Sequence, residues 1–511
     1  MSEQRLHPLS WLFLLGATLK EIALPLAALL FFGHKQDSWV LWGGLPLLGA
    51  GAWAALRAFS YRYQLGESEL LVRDGVLDRT QRHIPFARIH NISQRRKLAH
   101  RLLGVTELRL ESAAGGKPEA VLKVLGLDAA AALEALLRGG HGRSAAVAPA
   151  GAAAPLLTLP PGEILRLGLV SNRGLLMAGV LFGVVMQNRF LREQLGARME
   201  APARWLGGLM QSQAATGHWS NLALGALLTL AMAFVLLRLL SVLLAFFRYH
   251  GFTLERDGER LLARHGLLTL VRSGARLPRL QSWTLEEGFL QRRLGRCRLA
   301  VTVAGARHEH GHGTEPGANF TELAPIATPA QAHALLRLCL PALDWDALRW
   351  RPLHPASAAR RLIGQARWVL PALLAGAALD AGYGWPLPPA LLLAGCAALA
   401  AAMLWHASAW ARFAAIAEAG DVLLYRSGVW RRRWHILATP RLQNLSLYSS
   451  PLDRRLGMLH LRADTQGGSR SRHALDIPCL DRATANALRA RLWPALRRPL
   501  DAENSSMQSN A

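Results

Sequence analysis

The chain has 511 residues, with 59 Lys and Arg against 34 Asp and Glu, a formal charge of +25 and 51% hydrophobic residues. Its mean hydropathy is +0.16. An apolar average and a charge of that size cannot mix evenly over one soluble surface, so they segregate along the chain; a disordered polypeptide is excluded, a plain cytosolic enzyme is disfavoured, and several folded units are expected. Only five of the cations are Lys, a preference that reads as coding bias and carries no functional argument. Cys297, Cys339, Cys396 and Cys479 each stand more than forty residues apart with no C-x-x-C pair. A disulfide framework or a cysteine zinc site is not expected, and isolated reduced thiols are.

Six apolar stretches follow in chain order, each near the roughly 20 residues that cross a bilayer. They run from about Trp11 to Phe32, Trp39 to Phe59, Ile164 to Met186, Leu222 to Phe247, Trp368 to Trp385 and Pro386 to Trp405. The first carries Lys20 and Glu21, the third is weakened by Arg166, Asn172 and Arg173, and the fourth is interrupted by Arg238. No small-residue cleavage site follows the first, so it reads as a retained helix rather than a signal peptide. The stretches pair into three hairpins. The long segments between hairpins hold most of the arginines, which predicts that they and both termini are cytoplasmic. The loop from about Gln187 to Trp219, with Arg189, Arg192, Arg198 and Arg204, is the exception and reads as an interfacial amphipathic piece.

After each hairpin the same register recurs. Gly75, Arg88 and Gly104 in the first copy match Gly266, Arg279 and Gly295 in the second and Gly428, Arg441 and Gly457 in the third. Gly and Arg are 13 positions apart in every copy, and Arg and the second Gly 16, so shifts of 191 and 162 superpose all three without a gap. Alternating segments such as Glu107–Glu111, Leu299–Val303 and Met458–Arg462 predict strands. Leu70–Leu77 and Val422–Val429 predict hairpins that turn at glycine. Asp128, Thr328 and Asp481 are expected N-caps of one closing amphipathic helix per copy.

This arrangement resembles the bacterial pleckstrin-homology-like membrane proteins of the YdbS/YdbT type, and its three copies resemble the longer, YdbT-like members. The resemblance implies a bent, seven-stranded antiparallel sheet capped by a C-terminal helix in each module. The expected fold class is therefore membrane α-helical, six helices in three hairpins, plus three α+β PH-like modules. The expected organisation is hairpin 1 at 1–60, module 1 at 61–140, a linker at 141–162, hairpin 2 at 163–247 and module 2 at 248–343. A linker at 344–364, hairpin 3 at 365–407, module 3 at 408–498 and a disordered tail at 499–511 complete it.

Arg88, Arg279 and Arg441 are the candidate docking residues: a guanidinium fork suits a phosphate or carboxylate, and the same residues equally suit a structural role shared by one fold. Gly75, Gly104, Gly266, Gly295, Gly428 and Gly457 are read as structural, with Gly75, Gly266 and Gly428 required at positive φ. Three basic clusters stand out: Arg95-Arg96-Lys97 with His100 and Arg101, Arg292-Arg293 with Arg296 and Arg298, and Arg431-Arg432-Arg433 with Trp434. They suit anionic lipid head groups or simply follow the positive-inside bias. His308, His310 and His312 lie in a Gly-rich loop without preset metal geometry, so neither metal nor cofactor is expected. The charge forms no single stripe, which argues against nucleic acid.

No phosphate loop, HExxH pair or GxSxG elbow is present, and a non-catalytic docking or scaffold protein is expected. The resemblance implies a smaller one-module relative as a partner and a role in envelope maintenance or defence. The alternative is a transporter or lipid-handling channel gated by the modules, with Lys20, Glu21, Arg166, Arg173, Arg238 and Asp380 as the charged residues available to a path.

Overall fold

The computed structural model describes residues 4–5, most of 60–139, 155–187, parts of 189–208, 219–304, 320–367, 389–465 and 475–508, with isolated helical positions at 49, 52 and 56. Module 1 contains β1 (Gln4–Arg5), β2 (Arg62–Leu65), β3 (Glu69–Asp74) and β4 (Thr80–Pro85). It continues through β5 (Ile89–Lys97), the short helix α1 (Leu98–Leu102), β6 (Val105–Ser112), β7 (Ala120–Gly126) and the closing helix α2 (Leu127–Gly139).

The second copy begins with β8 (Leu157–Thr158), then the helices α3 (Pro161–Val170), α4 (Arg173–Gln187) and α5 (Trp219–Tyr249). Strands β9 (Thr253–Asp257), β10 (Arg260–His265), β11 (Thr269–Arg276) and β12 (Leu280–Gly288) precede α6 (Phe289–Arg293). Strands β13 (Cys297–Val303) and β14 (Glu322–Ala327) lead to α7 (Pro329–Cys339). The third copy repeats the order with β15 (Arg351–Pro352), α8 (Pro389–Phe413), β16 (Ala415–Ala419), β17 (Val422–Ser427) and β18 (Arg431–Ala438). It ends with β19 (Leu442–Tyr448), α9 (Pro451–Arg455), β20 (Met458–Thr465), β21 (Leu475–Asp481) and α10 (Arg482–Gln508).

Each module thus has seven strands, but they do not form one bent sheet. The first four and last three belong to different sheets, and the last three of one module continue into the first four of the next. The strand orders are β1-β2-β3-β4, β7-β6-β5-β11-β10-β9-β8, β14-β13-β12-β18-β17-β16-β15 and β19-β20-β21. Between the fourth and fifth strands of modules 2 and 3 lie tight 3-10 turns, Leu277–Arg279 and Thr439–Arg441. Pro278 and Pro440 in these turns lack the N–H that a ladder needs, which fixes where the chain leaves one sheet for the other.

Every module also takes its first strand from before the apolar segment that precedes its other six strands. Gln4 pairs with Tyr63, and Arg351 with Ile416. Leu156 N–H donates to the Leu254 carbonyl at 2.8 Å. The segments 141–162 and 344–364, expected as linkers, therefore contribute edge strands. Two-residue strands carry too little hydrophobic pattern to be seen in a sequence.

Although the sheets run on laterally, the cores of modules 1 and 3 each belong to one module. In module 1, Tyr63, Leu70, Val72 and Ile84 from the first sheet meet Ile89, Leu108, Leu110 and Leu122 from the second, with Ala130 and Leu133 of α2 closing the end. Module 3 repeats this with Ile416, Leu423, Tyr425 and Leu437 against Leu442, Leu461 and Ile477, under Ala485, Leu488 and Leu492 of α10. Asp481 accepts from Ala483 N–H at 3.1 Å, and Thr328 forms a capping box with Gln331. Asp128 lies inside the first turn of α2, two residues later than the N-cap position. The expected disordered tail is helical to Gln508: Ala502, Glu503, Met507 and Gln508 are good helix formers.

The chain divides into two compact units, residues 157–253 with 264–270, and the remainder. Among the described residues two helices are long and apolar enough to cross a membrane, Ala223–Tyr249 and Ala394–Phe413, rather than six. The first expected stretch lies outside the described residues, as does almost all of the second and the fifth. The third is not one helix: α3 and α4 meet at a bend of 57°.

In this smaller unit, Arg238 of α5 donates to the carbonyls of Leu169 and Ser171, both at 3.0 Å, so an arginine within an apolar helix caps the broken end of α3. Gly174 N–H donates to Ser241 Oγ at 3.0 Å, and a Cβ at Gly168 or Gly174 would collide with α5. Small residues permit this close helix approach. The described residues of 189–208 are helical, with exposed i,i+4 pairs Arg189–Glu193 and Arg204–Glu200.

All six repeat glycines have positive φ: 116°, 114° and 116° at Gly75, Gly266 and Gly428, and 65°, 59° and 71° at Gly104, Gly295 and Gly457. A Cβ at Gly428 would also fall on the Arg431 carbonyl oxygen, whereas one at Gly457 meets open space. Gly428→Ala is therefore expected to cost more than about 2 kcal/mol and Gly457→Ala about 1 kcal/mol. Thermal unfolding of the two purified variants checks this; equal losses would contradict it.

Candidate functional site at the junction of modules 2 and 3

Strand β12 runs antiparallel to β18 over seven residue pairs, from Ser282 opposite Leu437 to Gly288 opposite Arg431. This register brings the acidic end of one strand, Glu286-Glu287, against the basic start of the other, Arg431-Arg432-Arg433. Glu286 lies 2.6 Å from Arg431 Nη2, 3.0 Å from Arg433 Nε and 3.5 Å from Arg298 Nη1. Arg298 also reaches Glu322 at 2.6 Å. Burial would raise the Glu286 carboxyl, but Arg431, Arg298 and Arg433 outweigh it and hold the group below the ordinary carboxylate range. At Glu287 burial prevails over Arg432 and Arg292, and its carboxyl is raised.

Aromatic rings border this charge cluster. Trp430, just before β18, packs 5.9 Å from Phe289 of α6 and 5.5 Å from Trp405 of α8, centroid to centroid. Arg292 donates to the Val429 carbonyl at 3.1 Å, and Arg293 lies over the Phe289 ring at 5.5 Å. Arg432 sits 4.3 Å from the centroid of Phe413, the last residue of α8. Phe289, Leu290, Leu294, Trp405 and Trp430 are all exposed. An exposed apolar tip beside cations adjoins a helix long enough to cross a membrane.

Arg279 and Arg441 do not share one setting. Arg88 lies outside the described residues. Arg279 is half-buried, and burial followed by repulsion from Arg276 lowers its pKa. Arg441 reaches into the preceding module, where it stacks over the buried Trp283 ring at 5.4 Å and donates to the Leu277 carbonyl at 3.4 Å. Its position is that of a wedge between modules rather than of an open anion fork. The first basic cluster is likewise not one solvated face, since Arg95 and His100 are buried. His308, His310 and His312 lie outside the described residues. Among the described residues no group of His, Cys, Asp or Glu converges for a metal. Burial pushes the thiols of Cys297, Cys339 and Cys479 up to about 12, 11 and 11, which keeps them protonated.

The sequence reading passed over Glu286. The signal was present: the residues one repeat away are Arg95-Arg96 and Tyr448-Ser449, so only this copy ends its fifth strand in acid, and only the following copy begins its fourth with three arginines.

A bacterial PH domain family model matches the chain three times, over residues 12–141, 204–342 and 369–495. The chain belongs to the bacterial PH domain family. No curated protein and no solved structure matches it.

His435, in the middle of β18, stacks on Tyr425 and faces Thr284 of β12 at 3.5 Å. Burial, with Arg433 adding and Glu286 opposing, lowers its pKa to about 4. The folded imidazole stays neutral where the unfolded one, near 6.5, takes a proton. Stability contributed by the neutral ring is therefore lost as pH falls from about 6.5 towards 4. The expected result is a steeper fall of Tm between pH 7 and pH 5 in the natural protein than in His435→Phe; identical slopes would contradict it.

Proposed function

We propose that this protein is a non-catalytic multi-pass scaffold of the cytoplasmic membrane, with both termini and all three modules on the cytoplasmic side. Its modules dock to anionic head groups and to a membrane partner. The supporting observation is Trp430, held between Phe289 and Trp405 with Arg292, Arg293 and Arg431 around it. Trp405 lies eight residues before the end of α8, roughly 12 Å along the axis. The hairpin tip of module 3 therefore climbs alongside the helix to the level where aromatic rings anchor at a bilayer surface. Leu268, one repeat before Trp430, is also exposed.

A YdbT-like identity, with a one-module relative as partner and a role in envelope maintenance or defence, is consistent with three family matches on one chain. Transport receives less support. Arg238, a residue such a path would recruit, is engaged with carbonyls at the α3 break.

Arg293 lies over Phe289 and Arg296 donates to the Leu294 and Gly295 carbonyls beside the tip, so Arg293→Gln with Arg296→Gln tests head-group docking. Each near-surface cation contributes about 1 kcal/mol, so the double variant is expected to retain roughly thirtyfold less phosphatidylglycerol after purification. Mass spectrometry of the co-purified lipid measures this. Unchanged retention would contradict lipid docking.

A further inference from the structure

We infer that β19 of one copy pairs with β4 of a second copy of this chain, joining the molecules head to tail through the same ladder that joins modules 2 and 3 within one chain. This deepens the docking reading by naming a partner for the modules, and it stands even if the lipid contact fails.

The argument starts from a strand inventory. The fifth strand of modules 1 and 2, β5 and β12, pairs with the fourth strand of the next module, β11 and β18. The repeat leaves two strands without that neighbour among the described residues. β4, the fourth strand of module 1, closes its sheet at one end, and β19, the fifth strand of module 3, closes another. They are the two halves of the contact already made twice.

Exposure follows the same logic. In β12 the residues Gln281, Ser282 and Trp283 are buried against a neighbouring strand, whereas their counterparts in β19, Gln443 and Asn444, are exposed and Leu445 is half-buried. In β18 the residues Arg433, Trp434 and His435 are half-covered, whereas Thr80, Gln81 and Arg82 at the matching positions of β4 are exposed. Strand β19, Leu-Gln-Asn-Leu-Ser-Leu-Tyr, carries neither charge nor proline. Soluble proteins guard free edges with such residues, and an unguarded one is a template for pairing. A second copy supplies the matching edge with no further component, and such a heterologous contact leaves one free edge at each end of the pair.

The repeat shifts also give the register. Thr284 and His435, which touch across the internal ladder at 3.5 Å, correspond to Ser446 and Arg82. Ser446 of one copy therefore faces Arg82 of the other, and Leu445 faces His83.

The test co-expresses two differently tagged full-length chains, one Ser446→Cys and the other Arg82→Cys, and oxidises the membranes. The predicted result is a disulfide-linked species containing both tags, at least fivefold above either single substitution alone. Ser446→Cys with His83→Cys, whose side chains leave opposite faces of the ladder, is predicted to stay at background. No mixed-tag product would overturn the inference. So would a cross-link that forms only within a chain carrying both cysteines, or equal yields from the two pairings. Retained phosphatidylglycerol, measured on the same membranes, separates this outcome from that of the lipid-docking reading.

Discussion

The ladder between β12 and β18 is the constraint from which the rest of the larger unit follows. Seven residue pairs commit the last strands of module 2 and the first strands of module 3 to one sheet. Module 3 cannot turn relative to its predecessor without breaking main-chain hydrogen bonds, each about 1 kcal/mol net. The side chains reinforce the same register: Glu286 gathers three arginines, Arg441 lies over Trp283, and Arg292 holds the Val429 carbonyl. Because side chains alternate along a strand, a slip of one residue between β12 and β18 would turn Glu286 away from Arg431 and Arg433.

Hydrophobic burial and strand pairing operate here at different scales. The cores of modules 1 and 3 are each assembled from one module's two half-sheets and closing helix, as in an independent domain. The hydrogen-bond ladders then run across module boundaries. Such an array resembles a solenoid in energetic terms, since each unit is stabilised by itself and by contacts with its neighbours. Its ends remain chemically incomplete, which is why edge strands carry the strongest inference about assembly.

Much of this was legible in the sequence. The gapless Gly–Arg–Gly register announced three copies of one fold, and the positive φ at every repeat glycine explains why that residue recurs. The caps at Thr328 and Asp481 followed from local chemistry. What stayed hidden was non-local. Two-residue strands such as Leu157–Thr158 have no pattern, and nothing in the alternation of β12 says that its partner lies 150 residues away in another module. The break between Val170 and Arg173 was foreshadowed by polar residues, but its use of Arg238 as a cap depends on which helix packs beside it. The role of Glu286 depends on the β12–β18 register, which sets Arg433 opposite it and Arg431 opposite Gly288.

Amide hydrogen exchange of the full-length protein tests the shared sheet most directly. If modules 2 and 3 are joined by strand pairing, residues 280–288 and 431–438 exchange as slowly as the interior strands 297–303 and 422–427, because all four have neighbours on both sides. Rapid exchange of 280–288 and 431–438, at the rate of an unpaired edge, would contradict the account.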